Sequence, residues 1–348
     1  MNDLSSDYAV DPDLLATFCD VVGSHAPSRH DPTTGVELDM NLWNTLDGLG
    51  LARMAGPEEH GGSGATWYES AALLTELATQ AVALPLGEHD LLAGWLLATA
   101  DLPNDGLLRT VGVLDAAGSA RAVPWARYAA HVVCVLPVGD RWRIADVPVA
   151  RFSLSPDLNL AGEPRDHLRI EPDALRPDSC PVAADMVDEL LLRAALVRAV
   201  QTAGALERCL RLTLSHVSSR VQFGRPISRF QAVQHLAAQV AAETSLARAA
   251  VDAAVAVAAQ RDRGAANLAD LAFHVAVARS CAGHAASLVV RTAHQLHGAI
   301  GTTLEHDLHR ATLPALAWRG EYGSTHHWDE RVNELATATD DLWGLITR

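Results

Sequence analysis

Apolar residues recur at every third or fourth position through the first hundred residues of the chain, which is the period of a helix with one buried face. Four stretches carry this pattern: 11–26, 39–51, Trp67–Val82 and Leu86–Ala100. Asp11, Pro12 and Asp13 fit the cap and the first turn of the first helix. We therefore predict a helical N-terminal domain over residues 1–106.

The pattern changes after Leu107 to short runs rich in valine, separated by glycine, proline and aspartate, which is typical of strands. The predicted strands are Arg109–Leu114, His131–Pro137, Arg141–Val147 and His167–Ile170. Gly118-Ser119 and Gly139-Asp140 have the composition of hairpin connections. Residues 107–182 are therefore predicted to form a small antiparallel β middle domain.

Helical periodicity returns at Ala183. Three helices of about thirty residues are predicted, a length typical of bundle helices: Asp185–Ser218, Phe230–Arg261 and Leu268–Gly298. Small residues on their faces, such as Ala237 and Ala241, permit close helix packing. Residues 183–348 are therefore predicted to be a helical-bundle C-terminal domain, and the fold class is mainly α with a small β-domain.

Length and charge narrow the classes of function. With 348 residues, of which 49% are hydrophobic, the chain is long enough to bury a large core in two or three domains. Its formal net charge of −15 argues against a nucleic-acid partner, because phosphate binding needs a basic face. All 27 basic residues are arginine, so Schiff-base chemistry, which needs a lysine, is excluded for this chain.

Cysteine usage and the N-terminus favour a cytoplasmic protein. The five cysteines lie far apart and form no Cys-x-x-Cys pair, so neither a disulfide framework nor a zinc site is indicated. The first residues, Met1–Leu4, include an acid where a signal peptide has basic residues. The apolar stretch Leu84–Ala100 is interrupted by Glu88, His89 and Asp90, so we expect no membrane span.

Candidate chemistry is concentrated in the stretch Ser218–Gln239, where glycine and proline predict a turn between two long helices. Arg220, Arg225 and Arg229 lie around this turn. Guanidinium groups at a helix N-terminus are suited to holding phosphate oxygens. Arginines at a helix end also often do no more than complement its dipole, so local chemistry alone leaves both interpretations open.

Three motifs, ordered along the chain, carry a resemblance to a known family. They are Pro-Glu-Glu-His-Gly-Gly-Ser-Gly at Pro57–Gly64, Arg-Val-Gln-Phe-Gly-Arg-Pro-Ile at Arg220–Ile227, and Gln-Leu-His-Gly-Ala-Ile-Gly at Gln295–Gly301. Their sequences and separation resemble those of the acyl-CoA dehydrogenases. The resemblance implies the three domains of that family: a helical N-domain, a β middle domain and a four-helix-bundle C-domain. It also implies α,β-desaturation of a CoA thioester, with FAD as the cofactor.

In this family a neighbouring subunit binds the nucleotide end of FAD, and the resemblance assigns that role to seven residues. The matching positions are Arg220, Gln222, Phe223, Gln231, Gln295, Gly298 and Gly301. Their chemistry fits, because an arginine forms a charge-assisted pair with phosphate and glycines allow close backbone approach. For Gln295 and Gly298, an ordinary glycine-capped helix end is the alternative interpretation.

The resemblance also shows that both positions for the family's catalytic base lack a carboxylate. Counted from Arg310, the usual glutamate position is Arg319, and a guanidinium cannot accept a proton. The second position falls near Ala194, with Ala195 in place of an arginine that contacts substrate. We therefore assign no catalytic residue to this chain. Glu321, two residues after Arg319, is the nearest carboxylate that could replace the base.

The middle domain departs from the flavin-ring contacts of the family. Leu114 stands where an acid of the ring-binding loop belongs. Gly118-Ser119 either keeps the small residues of that loop or is simply a hairpin turn. The Trp-Ile-Thr segment of the family is not found in the sequence.

Histidines are numerous, and three pairs are spaced closely enough to chelate a metal ion: His294/His297, His306/His309 and His326/His327. No third ligand follows at a fitting spacing. We therefore interpret the pairs as surface or capping histidines and predict no metal site.

The retained nucleotide-end residues and the missing redox residues favour an accessory role. The chain resembles the short, base-less subunit of actinobacterial heterotetrameric (α2β2) acyl-CoA dehydrogenases, which act on CoA thioesters of steroid side chains. That resemblance implies a larger partner subunit, an acyl-CoA substrate in the cleft of that partner, and an electron-transfer flavoprotein as acceptor. Two alternatives remain open: a homo-oligomeric FAD enzyme with Glu321 as a displaced base, and a flavin-free scaffold.

Overall fold

The fold is taken from a computed structural model, which describes residues 10–25, 35–58, 61–175, 179–339, 341 and 343–344. The predictions that rest on Met1–Leu4, and on Glu59 and His60 of the N-terminal motif, lie outside the described residues. The chain divides into two compact units. The first comprises Met1–Leu73 and Ala83–Ala194, and the second comprises Leu74–Val82 and Ala195–Arg348.

Three of the four predicted N-terminal stretches form regular helices: α1 (Pro12–Ser24), α2 (Met40–Gly48) and α3 (Trp67–Gln80). Asp11 and Asp39 precede α1 and α2, and each carboxylate accepts a hydrogen bond from a backbone N–H of the first turn. Such short acidic side chains favour helix initiation because the first N–H groups have no partner within the helix. These residues account for where both helices begin.

The fourth predicted helix, Leu86–Ala100, is irregular. Its first part is a π-helix, Gly87–Gly94, and only Trp95–Thr99 (α4) is an α-helix. The π-helix buries the three polar residues that interrupt this apolar stretch: Glu88, His89 and Asp90. The prediction of a regular α-helix is therefore wrong over Gly87–Gly94. Single π-helical turns occur often at functional sites.

Seven strands form two sheets in the described part of the first unit. Their bounds are β1 Arg109–Val113, β2 Ser119–Pro124, β3 His131–Val138, β4 Arg141–Pro148, β5 Ser153–Ser155, β6 Arg165–Arg169 and β7 Cys180–Val182. The four-stranded sheet has the order β1-β3-β4-β7, and the three-stranded sheet has the order β2-β6-β5. Buried residues of both sheets, among them Val132, Cys134 and Leu168, form one apolar core.

The four-stranded sheet is mixed, whereas the sequence predicted an antiparallel one. β1 runs parallel to β3, with Arg109 opposite His131. The other pairings of the two sheets are antiparallel. A parallel pair needs a long crossover connection, and the chain provides it by passing through β2 of the other sheet between β1 and β3. The parallel pairing could not be predicted from the short-range sequence pattern, which contains no information on such a connection.

The two glycine-containing turns behave differently. Gly139-Asp140 connects β3 to β4 as a two-residue hairpin, as predicted. Gly118 connects β1 to β2, which lie in different sheets, so the hairpin predicted at Gly118-Ser119 is wrong. A Cβ atom at Gly118 would lie 1.9 Å from the carbonyl oxygen of Ile170. Glycine is therefore required here by close backbone approach.

Long helices follow the sheets: α5 (Ala184–Ser219), α6 (Gln231–Asp262), α7 (Leu268–His297), α8 (His309–Gly320) and α9 (Thr325–Thr337). The first three begin and end within one residue of their predicted bounds. Their core is rich in alanine, and Ala247, Ala282 and Ala286 are buried where small side chains allow helices to approach closely. The predicted fold, mainly helical with a small sheet region, is confirmed.

Helix α7 and the turn after it are long and apolar enough, by length and composition, to cross a membrane. However, 61% of the most apolar window of this segment is buried inside the protein. Such burial is expected of a core helix in a bundle.

Candidate functional site

The chain leaves α5 into a short hairpin that carries the central motif. β8 (Val221–Gln222) and β9 (Arg225–Pro226) pair antiparallel around Phe223 and Gly224. Both loop residues have a positive φ, 54° and 78°, which is characteristic of a type I′ turn. The sequence predicted only a turn between helices here, because two-residue strands are too short to show an alternating pattern.

Phe223 is an exposed aromatic residue held in an unfavourable backbone conformation. Its side chain is 90% exposed, and its ring contacts Phe230 edge-on, with centroids 6.0 Å apart. Large non-glycine residues rarely adopt a positive φ, and such strain is concentrated at functional positions. Exposed apolar residues also occur beside Phe223 on the hairpin and after α7: Val221, Ile300 and Leu304.

Arg220 and Gln222 both have exposed side chains on this hairpin. The backbone of Arg220 is fixed, because its N–H donates to the carbonyl of His216 at 2.9 Å and its carbonyl accepts from Ile227 at 2.8 Å. Within the described part of the chain, no carboxylate pairs with the Arg220 guanidinium. This cation is therefore available for an anionic ligand.

Helix α6 begins at Gln231, directly after the hairpin. The preceding residue, Phe230, has no capping side chain, so the first N–H groups of α6 retain the capacity to bind an anion. Arg225 lies over the ring of Phe230, 4.2 Å from its centroid, as a cation–π pair. Arg229 is exposed.

The remaining three predicted residues lie at the end of α7. Gln295 is exposed on its last turn. Gly298 ends the helix with φ +65°, and a Cβ atom at this position would meet nothing within 4 Å, so the approach to its backbone is open. Gly301 is buried in the following turn, where a Cβ atom would lie 2.7 Å from that of His297. Gly301 is thus needed for packing, and Gly298 for its backbone conformation.

Two stacked histidines bring these segments together. The ring of His216, on the last turns of α5, stacks on that of His297 at the end of α7, with centroids 4.5 Å apart. Arg220 follows His216 by one helical turn, and Gly298 directly follows His297. The two halves of the predicted nucleotide site therefore extend from adjacent helix ends. An exposed guanidinium, three exposed glutamine amides and open backbone groups fit the pyrophosphate and adenosine end of a flavin dinucleotide.

His306 completes a three-histidine cluster with His216 and His297. One ring nitrogen of each lies within 4.8 Å of those of the other two. The Nδ1 atom of His297 lies 2.8 Å from the carbonyl of Ala293, and burial lowers the pKa of His297 to about 4. Spacing along the chain missed this cluster because His216 comes from a different helix.

Neither position that the resemblance assigns to the catalytic base offers a proton acceptor. Arg319 lies on the last turn of α8, and its Nη1 donates to the hydroxyl of Ser287 at 2.7 Å. Ala194 and Ala195 are buried on α5 with 2% and 0% exposure. These positions are thus occupied by a cation and by two methyl groups.

Glu321, the carboxylate nearest to Arg319 in the sequence, is the counter-ion of a buried arginine. Its Oε2 accepts a hydrogen bond from the Nε of Arg198 at 2.6 Å, and its side chain is 18% exposed. Arg279 donates to the backbone carbonyl of Glu321 at 2.6 Å and to that of Arg319 at 3.0 Å. Burial lowers the pKa of Arg279 to about 10. Glu321 therefore lies in a structural network at the end of α8.

A buried arginine also lies directly before Ala194. The guanidinium of Arg193 is 4.2 Å from the ring centroid of Trp95 and 5.9 Å from that of Trp67. Its Nη2 donates to Glu189 at 2.8 Å. A carboxylate is thus present on this helix, but it is paired with an arginine stacked on tryptophan.

In the first unit, the glycine-rich loop of the N-terminal motif borders a small cavity. Its lining includes Gly61, Gly62, His89 and Asp90. Both carboxylate oxygens of Asp90 accept from the backbone N–H of Ala55, at 3.0 and 3.1 Å. Burial raises the pKa of Asp90 to about 7 and lowers that of His89 to about 3. Asp90 thus anchors the backbone that leads into this loop.

Comparison with known proteins identifies both ends of the chain. Residues 13–100 match the acyl-CoA dehydrogenase N-terminal domain, and residues 185–326 match the acyl-CoA dehydrogenase C-terminal domain. The acyl-CoA dehydrogenase IpdE2 of Mycobacterium tuberculosis is 32% identical over 95% of this chain and 96% of its own length.

Two solved structures share the fold over nearly the whole chain. A chain of the ChsE4–ChsE5 complex of Mycobacterium tuberculosis superimposes with a TM-score of 0.82 at 21% identity, covering 96% of this chain and 99% of its own. A chain of a variant Tcur3481–Tcur3483 steroid acyl-CoA dehydrogenase superimposes with a TM-score of 0.79 at 24% identity. The match covers 94% of this chain and 97% of the other. At these identities the likeness concerns the fold alone.

Proposed function

The chain belongs to the acyl-CoA dehydrogenase family, and from this premise we propose that it is an accessory subunit that completes the FAD site of a larger, base-bearing partner. In this family, bound FAD supplies the acceptor for the hydride removed from a CoA thioester. The seven residues proposed to hold its nucleotide end are Arg220, Gln222, Phe223, Gln231, Gln295, Gly298 and Gly301.

One contrast in the molecule carries this proposal. Arg220 is exposed and has no carboxylate partner among the described residues, whereas Arg319 and Glu321, at or beside the usual base position, are both engaged. An accessory subunit needs a free cation for the phosphates of FAD but no proton acceptor. The strained and exposed Phe223 adds an aromatic surface for a neighbouring chain.

The proposed tasks differ between the residue types of this set. Arg220 neutralises phosphate charge, the three glutamines offer neutral donors to the nucleotide, and Gly298 lets its backbone approach the ligand. The acyl-CoA substrate then lies in the cleft of the partner, whose own carboxylate removes the α-proton. Electrons leave through an electron-transfer flavoprotein, and the complex works in the cytoplasm.

The proposed hetero-oligomer and substrate class draw support from the similar folds. The ChsE4–ChsE5 complex and the Tcur3481–Tcur3483 enzyme each contain two different chains, and the latter is a steroid acyl-CoA dehydrogenase. We infer by analogy a heterotetramer that acts on a steroid-derived CoA thioester.

The two alternatives have less support from the geometry. A homo-oligomeric enzyme would need Glu321 as its base, but this carboxylate is held by Arg198. A flavin-free scaffold would give no function to the exposed Arg220 or to the open backbone at Gly298. The flavin-free scaffold also leaves the strained conformation of Phe223 unexplained.

The proposed role of Arg220 is tested by flavin retention. We expect Arg220→Ala, in a complex co-expressed with a larger homologue, to lose most of its FAD while both chains remain associated. Arg263→Ala is the matched control, because Arg263 is an exposed arginine at the opposite end of α6, about 45 Å away by helical rise. Flavin absorbance per complex measures the result, and unchanged flavin content in Arg220→Ala would refute this role.

A further inference from the structure

The histidine cluster of His216, His297 and His306 has no task in flavin binding. Its members come from the end of α5, the end of α7 and the segment before α8, and their ring nitrogens lie within 4.8 Å of one another. His297 is 5% exposed, and its Nε2 is buried without a hydrogen-bond partner among the described residues. A buried nitrogen without a hydrogen bond lowers the stability of the folded chain. We therefore expect this atom to bind a ligand.

We propose that these three histidines bind one divalent transition-metal ion, preferentially zinc. Imidazole nitrogens are common ligands of zinc, and a site with three protein ligands completes its tetrahedron with water. Nitrogens bound to one zinc ion lie about 3.3 Å apart, as follows from Zn–N bonds of about 2.0 Å. The nitrogens of the cluster lie within 4.8 Å of one another, so the three rings must approach each other to reach this geometry.

His297 already has the environment of a metal ligand. With its Nδ1–H donated to the carbonyl of Ala293 at 2.8 Å, the lone pair of Nε2 is left for a metal ion. Metal-bound histidines usually donate their other N–H to a carbonyl or a carboxylate in this way, which fixes the tautomer and the ring orientation.

The other two rings must move when the ion binds. The Nδ1 of His306 accepts the backbone N–H of Leu308 at 3.0 Å, so its lone pair is engaged and its proton lies on Nε2. Ring rotation frees this lone pair at the cost of one hydrogen bond. The rings of His216 and His297, now inclined by 25°, must turn toward a common point.

A metal ion at this position would fix the two helix ends that lead to the nucleotide site. His216 precedes Arg220 by one turn, and His297 directly precedes Gly298. The ion would also add positive charge beside the segment that carries Arg220. The metal site itself does not depend on the flavin hypothesis, since its ligands all belong to this chain.

Zinc binding is tested on the full-length chain without an affinity tag, alone or with its co-expressed partner, after removal of metals and without added flavin. Calorimetric titration with zinc should give one ion per chain, and the melting temperature should rise with zinc concentration. His216→Ala and His306→Ala should each weaken binding at least a hundredfold, since even the loss of a residue that only supports a ligand costs ten- to a hundredfold. His326→Ala, an exposed histidine on α9, should leave it unchanged.

Cobalt(II) gives an independent readout of the coordination sphere. Its visible absorption should indicate a tetrahedral site in the unaltered chain and should be lost in His306→Ala, whose circular dichroism should remain that of the parent. Absence of zinc binding by the unaltered chain, or equal binding by His306→Ala, would overturn the proposal. Neither result would bear on the role of Arg220 in retaining flavin.

Discussion

Glu321 is partly buried and Asp90 is buried, and the two carboxylates are stabilised in different ways. Glu321 is paired with the guanidinium of Arg198 at 2.6 Å. Asp90 accepts the backbone N–H of Ala55 at 3.0 Å. The first is held by an opposite charge and the second mainly by backbone dipoles. Glu321 is the candidate for a displaced catalytic base, whereas Asp90 affects the stability of the folded chain.

Glu321→Gln tests whether this residue acts as a base. In an active complex we expect turnover within about twofold of the parent, because Glu321 is assigned to Arg198 rather than to the substrate. The free energy of unfolding should fall by about 1–3 kcal/mol, since a charged hydrogen-bond partner of a buried arginine is lost. Steady-state kinetics and urea unfolding measure the two effects. A loss of turnover of a thousandfold or more, with FAD still bound, would restore Glu321 as the displaced base.

Asp90→Asn tests the buried acid of the π-helix. Burial raises the pKa of Asp90 to about 7 from an ordinary 3.8, so between these values the folded chain holds a proton that the unfolded chain does not. The stability supplied by this proton is therefore present at low pH and lost as pH rises from about 4 to about 7. The shift corresponds to roughly 4 kcal/mol. Asp90→Asn should lack this dependence.

The quantity to compare is the difference in the free energy of unfolding between the parent and Asp90→Asn at each pH. Burial also lowers the pKa of His89 to about 3, which gives the opposite slope, but His89 is present in both proteins and cancels. Urea unfolding at several pH values should show the parent losing stability relative to Asp90→Asn between about pH 4 and 7. A constant difference across that interval would show that Asp90 is ionised in the folded chain.

At the scale of single elements, the β8–β9 hairpin combines strain with exposure. Phe223 has a φ of 54° and a ring that is 90% exposed. Phe223→Gly should relieve about 1 kcal/mol of backbone strain, whereas Phe223→Ala retains the strain and removes only the ring. We expect Phe223→Gly to raise the melting temperature of the chain while both variants retain less FAD in the complex. Equal melting temperatures for the two variants would contradict the assignment of strain.

Sequence patterns predicted the elements unevenly, for physical reasons that differ between them. Helices α5, α6 and α7 begin and end within one residue of the prediction, because a long amphipathic pattern is bounded by turn residues such as Gly224 and Pro226. The parallel β1–β3 pairing was missed because pairing partners depend on the path of the whole chain. The π-helix at Gly87–Gly94 was missed because the same residues also fit an α-helical pattern.

The candidate site was predictable only in part. Motif resemblance located the residues proposed for the nucleotide end of FAD, and it identified the missing carboxylate at Arg319. It could not show that Glu321 is committed to Arg198, because the two lie far apart in sequence. The same limitation concealed His216 as a neighbour of His297. Contacts between residues that are distant in sequence can be identified only from the folded structure.

At the scale of the whole molecule, the chain belongs to the acyl-CoA dehydrogenase family over nearly its whole length. The domain matches at both ends and a relative aligned over 95% of the chain place it within the family. Within that framework, most of the residues proposed to bind the nucleotide are exposed, and the positions that the resemblance assigns to the catalytic base carry Arg319 and Ala194. We propose that this combination divides the work of one active site between two different chains.

The flavin content of the chain alone and in complex tests this division most directly. The chain is purified by itself and again after co-expression with a larger homologue that carries the family's base, and FAD per chain and desaturation of a CoA thioester are measured for both. We predict no bound flavin and no activity for the chain alone, and about one FAD for every two chains in an active complex. A chain that by itself binds a full equivalent of FAD and desaturates the thioester would contradict the account.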